Sequence, residues 1–80
     1  MIQFVQNELE MGTTFASLAL DSQTEEKRQR NRENARKAYD TARHFLENHA
    51  AAEAIAQPDL FVRLSELRRL LIQLGEKVEE

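Results

Sequence analysis

The sequence predicts an all-α protein, an antiparallel three-helix bundle with helices over about residues 2–20, 23–48 and 58–78. Three observations carry that prediction. Leu60, Leu64, Leu67, Leu71, Leu74 and Val78 follow one another at 4-3-4-3-4 spacing, which lays one apolar stripe along the side of a helix that packs on other helices. Helix formers dominate, with only two glycines and one proline in 80 residues. No run alternates apolar with polar residues and no hairpin dipeptide occurs, so there is no strand signal. A chain of this length makes one domain, residues 1–80. It buries only about 60–65% of its unfolded surface. With no cysteine, disulfides are excluded, and its stability has to come from helix packing or from a partner.

The first helix is predicted over Ile2 to Leu20. Ile2, Phe4, Val5, Leu9, Met11, Phe15, Ala16, Leu18, Ala19 and Leu20 cover a wide arc, and Gln3, Gln6, Glu10, Thr13 and Ser17 take the other side. An arc this wide fits contact with two neighbours. Gly12 and Ala16 lie four apart on it. Small residues there let a neighbouring helix approach closely, although an interior glycine costs about 1 kcal/mol in helix propensity. Glu8 falls inside the same arc, between Phe15 and Ala19 down the axis. It is either a buried carboxylate paired with an arginine of the second helix or a side chain at the rim reaching water.

The second helix is announced by Asp21-Ser22-Gln23-Thr24-Glu25-Glu26. Ser22 with Glu25 three residues on fits a capping box, and Thr24 is the other candidate cap. Either choice sets acids at the positive helix end. The apolar stripe is Ala35, Ala38, Tyr39, Ala42, Phe45 and Leu46, whereas Lys27 to Asn34 contain no apolar residue. The first half of this helix must therefore be held by charge pairing, fray, or meet something else. Residues 47–57 are an alanine-rich connector, with a helix end expected near His49. Pro58, suited to the first position of a helix, starts the third. That helix carries the leucine stripe to Val78, with Phe61 and Ile72 on a second face.

Charge is uneven. Residues 1–21 carry −3, residues 22–43 carry +3 and residues 44–80 carry −3, a pattern that complements itself when the middle helix faces its neighbours. Arg28, Arg32 and Arg36 recur every four residues and Arg43 follows, making a basic stripe. Such a stripe matches a phosphate footprint, an acidic protein partner, or internal pairing. Interleaved Glu25, Glu26, Glu33 and Asp40 and the net charge of −3 speak against nucleic acid. His44, Glu47, His49 and Glu53 are candidate metal ligands, but the order His44-x-x-Glu47 reverses the Glu-x-x-His of di-iron bundles and has no second copy. There is no phosphate loop and no nucleophile with a base and an orienting acid. No apolar run approaches the roughly 20 residues of a membrane span, and Met1 to Gly12 lack the basic start of a signal peptide.

Ala35, Tyr39 and Ala42 in the second helix resemble the small-large-small pattern of a tetratricopeptide B helix. Met11, Gly12 and Phe15 loosely echo its A helix. The spacing from Phe15 to Ala35 is too long for one such repeat, and no second repeat is present. In outline, residues 8–78 look more like the MIT domain, a three-helix bundle of about this size. That resemblance implies a helical interaction module binding amphipathic peptide helices between its own helices.

The expectation is a non-enzymatic, cytoplasmic protein-interaction module, self-associating as a homodimer or binding another protein's helix, with no catalytic residue, metal, cofactor or membrane contact. Phe61, Ile72, Arg28, Arg32 and Arg36 are the expected partner-binding residues. The alternative is a nucleic-acid-associated helical protein using the basic stripe of the second helix.

Overall fold

Three helices account for most of the residues described by the computed structural model, which are 2–48 and 57–78: α1 (Ile2–Asp21), α2 (Glu25–Asn48) and α3 (Asp59–Gln73). They pack on one another as the predicted all-α three-helix bundle, and no strand occurs among the described residues. A three-residue turn makes α1 and α2 antiparallel. Arg32 of α2 meets the end of α3 at Leu74, and Tyr39 lies beside Leu64 and Arg68, so α3 also runs antiparallel to α2.

The turn chemistry decides between the two candidate caps. Thr24 is the cap of α2: its Oγ1 accepts the Lys27 N–H at 3.3 Å, and its carbonyl accepts the Arg28 N–H at 3.0 Å. Ser22 closes α1 instead, its hydroxyl donating to the Leu18 carbonyl at 2.7 Å. The helix therefore starts at Glu25 rather than at 23, with Glu25 and Glu26 in its first turn, where the exposed N–H groups favour acids.

The seam between α1 and α2 is built from small residues. Gly12, Ala16 and Ala19 of α1 and Ala35, Ala38 and Ala42 of α2 are all buried. A Cβ placed on Gly12 would lie 2.6 Å from Leu67 Cδ2 and 3.1 Å from Ala38 Cβ. Glycine thus lets all three helices meet without displacing Leu67. The seam of α3 is built from leucine: Leu60, Leu67, Leu71 and Leu74 are buried in one cluster with Val5, Leu9, Tyr39 and Leu46. Leu64, on the same stripe, is only half-buried, and Phe15 and Phe45 pack at the edge of the cluster.

Both ends of α3 differ from the expectation. Pro58 stands one position before the helix, as its cap with helical backbone angles. At the other end α3 stops at Gln73 although the apolar stripe runs on to Val78. Gly75 takes φ +93°, the Gly75 N–H bonds the Ile72 carbonyl at 3.0 Å and the Glu76 N–H bonds the Leu71 carbonyl at 2.9 Å. This paired closure is the Schellman motif, and glycine is the residue that adopts its left-handed position without strain. Val78 is buried all the same, carried back onto the bundle by the non-helical residues 76–78. The expected end of the second helix near His49 and the connector to 56 lie outside the described residues.

Candidate protein-binding surface

The arginine stripe of α2 meets the segment that follows α3. Arg32 donates from a terminal guanidinium nitrogen to the Leu74 carbonyl at 3.2 Å, and its Nε lies 3.3 Å from a Glu76 carboxylate oxygen. Arg36 donates to the Lys77 carbonyl at 2.8 Å, lies 3.6 Å from the other Glu76 oxygen and holds Asp40, one turn on, at 3.1 Å. Arg68 of α3 donates to the Val78 carbonyl at 3.3 Å. Arg28 is half-buried and has no ion pair among the described residues. Farther along, half-buried Arg43 pairs with Glu47 at 2.9 Å; that hydrogen bond and charge raise the guanidinium pKa above its ordinary value.

Of the expected partner-binding residues, Arg32 and Arg36 are thus engaged by the chain itself, while Phe61 and Ile72 are open, 43% and 45% exposed. Eleven residues apart on one helix, they lie about 20° from each other down the axis, and Arg68 shares their face. Val62, also exposed, points elsewhere.

A second open apolar face lies within the wide arc of the first helix. Phe4, Met11 and Leu18 are 41%, 46% and 49% exposed and follow one another at intervals of seven. Seven residues bring a helix round to within about 20° of its starting direction, so the three form one stripe along α1, turned away from Val5, Leu9, Gly12, Ala16 and Ala19. Phe4 leans on Phe45 of α2, ring centroids 5.0 Å apart and edge to face. Beside the stripe is a shallow depression lined by Asn7, Glu10, Met11, Thr14 and Phe15. It continues into a groove between α1 and α3 lined by Glu10, Thr13, Thr14, Arg63 and Glu66 over Leu9. The signal was present in the sequence as the spacing 4, 11, 18. It was hidden because the core-facing residues of the same helix fill the neighbouring positions.

Glu8 is half-buried, at the rim, and no charged or polar side chain is buried among the described residues. His44 is exposed, its ring 3.2 Å from the Asn48 amide nitrogen, and Glu47 serves Arg43; His49 and Glu53 lie outside the described residues. Among the described residues there is no grouping of three metal-ligating side chains, and no helix is long and apolar enough to cross a membrane. No protein-family model, curated protein or solved structure matches this chain.

Proposed function

We propose that this chain is a non-enzymatic helical module that binds a protein helix, either a second copy of itself or an amphipathic helix of another protein, on the outer face of α1. The observation that carries this reading is the Phe4–Met11–Leu18 stripe. Single exposed apolar residues are ordinary on a protein surface. Three of them in register at helix-packing spacing offer the seam that a further helix fills. Phe61 and Ile72 on α3 are a second, smaller place for the same kind of contact. The capture of Arg32 and Arg36 by residues 74–77 weighs against a nucleic-acid footprint along α2. A cysteine-free chain needs no oxidising compartment, and the cytoplasm is the proposed one.

Sedimentation velocity over a wide concentration range, with and without Met11→Glu, tests the reading. The expected result is concentration-dependent association, or binding of the dye ANS, that Met11→Glu reduces while leaving helix content intact. A sharp monomer at every concentration that also binds no ANS would remove the proposal.

A further inference from the structure

We propose that Arg32, Arg36 and Arg68 form a site for a non-helical acidic–aliphatic segment of the pattern Glu-x-Val, filled here by the chain's own residues 76–78 and open to the same pattern supplied by another protein. The site is separate from the outer face of α1 and does not depend on it.

The occupant shows the chemistry of the ligand. Past Gly75 the chain leaves the helix, and side chains of α2 and α3 hold it. Arg36 and Arg68 take the carbonyls of Lys77 and Val78. Such contacts hold a backbone without reading its sequence. The reading is done by two side chains. The Glu76 carboxylate lies between two guanidinium groups, 3.3 Å from Arg32 and 3.6 Å from Arg36, and Val78 joins the hydrophobic cluster. Residues 76–78 thus present a carboxylate to the arginines and an aliphatic side chain to the core from one short non-helical stretch.

The resident segment is an imperfect ligand. Arg32 Nε is shielded from water and has no hydrogen-bond partner although a Glu76 oxygen is 3.3 Å away. The pair is therefore attracted by charge without an aligned N–H···O bond. The Glu76 backbone is itself tied, its N–H bonded to the Leu71 carbonyl by the closure of α3, which fixes the point from which its side chain reaches Arg32. A Glu-x-Val segment arriving from outside has no such tie and can align with Arg32. The resident segment has the advantage of its tether, which keeps it at an effective concentration on the order of millimolar. The site is thus closed by default and opens to a competitor that is abundant or makes further contacts nearby, for example with Phe61 and Ile72, which share the face of Arg68.

The probe is the peptide acetyl-Gly-Glu-Lys-Val-Glu-Glu, the sequence of residues 75–80, titrated into the full isotope-labelled chain and followed by NMR. Glu76→Lys drives the resident segment off Arg32 and Arg36 and leaves the arginines in place. The peptide is expected to bind this variant at least tenfold more tightly than the unaltered chain, with shifts at residues 32, 36 and 68, and the same peptide with lysine at its first glutamate is expected not to bind. Equal affinity for both chains, shifts centred elsewhere, or no binding to a Glu76→Lys chain of unchanged helix content overturns the proposal. Should Glu76→Lys lose helix content, Glu76→Gln takes its place with an expected gain of about threefold, and no gain there also overturns it. Met11→Glu must leave the peptide affinity unchanged, which keeps the outcome distinct from that of the α1 face.

Discussion

The two seams of this bundle are made from opposite materials. Between α1 and α2 the contact is Gly12, Ala16 and Ala19 against Ala35, Ala38 and Ala42; where α3 enters, it is Leu60, Leu67, Leu71 and Leu74. The small-residue seam contributes little apolar area per residue but brings two backbones close. The leucine side chains bury more apolar area each, at about 25 cal/mol per Å² of apolar surface removed from water. They fail in opposite ways: the leucine seam when a side chain is shortened, the small seam when one is lengthened.

The largest effect is expected at the leucine seam. Leu67→Ala or Leu71→Ala removes a side chain with no exposed surface, and each should cost roughly 2–5 kcal/mol. For a chain whose whole stability is on the order of 10 kcal/mol or less, thermal melts followed by circular dichroism should fall by about 10 °C or more. An unchanged melt would mean that α3 is not seated as described.

Gly12→Ala comes next. Helix propensity alone favours alanine by about 1 kcal/mol, whereas overpacking costs about 1–3 kcal/mol. Because the new Cβ meets Leu67 at 2.6 Å and Ala38 at 3.1 Å, overpacking should win, by about 1 kcal/mol net in denaturant titrations. The double variant Gly12→Ala with Leu67→Ala sharpens the comparison. If the two seams share this point, trimming Leu67 relieves the clash and the two losses do not add; strict additivity would place them apart.

A smaller difference is expected along α2. Amides of residues 25–31 should exchange with solvent faster than those of 35–46, since only the second stretch carries the buried residues Ala35, Ala38, Tyr39, Ala42 and Leu46. Uniform protection would reveal a further contact on the first stretch. The smallest effect belongs to Phe61→Ser and Ile72→Ser, exposed side chains whose loss should change stability by no more than about 0.5 kcal/mol.

The fold class was legible because periodicity is a local property: 4-3 spacing in the third helix and the alanine–tyrosine stripe in the second each declare a buried face. The closeness of α1 and α2 was legible in Gly12 and Ala16. The end of α3 was not, because Leu74 and Val78 keep the helical spacing through a glycine that turns the chain. Burial selects an apolar residue at 78 whether or not the backbone there is helical. The arginine stripe was legible as a stripe, and internal pairing was among its expected roles, but the specific partner at Glu76 was not. It lies 44 residues from Arg32 and 40 from Arg36 along the chain and is delivered by a turn that spacing cannot show. The outer stripe of α1 was legible in principle, yet a wide apolar arc does not say which part of it faces inward.

Gly75 also sets how far the bundle is three helices thick. α2 has 24 residues and α3 has 15, a difference in length of roughly 13 Å at 1.5 Å per residue. Since the Arg32 side chain reaches Leu74, the opening turns of α2 overhang the end of α3 and, among the described residues, have only α1 and the Ser22–Thr24 turn beside them. Among the described residues no third layer covers that stretch, so an apolar residue between Lys27 and Asn34 would find little to pack on. The polar composition of that stretch, puzzling as the start of a core helix, is what a two-layer overhang requires. On warming, this end should be the first to unzip.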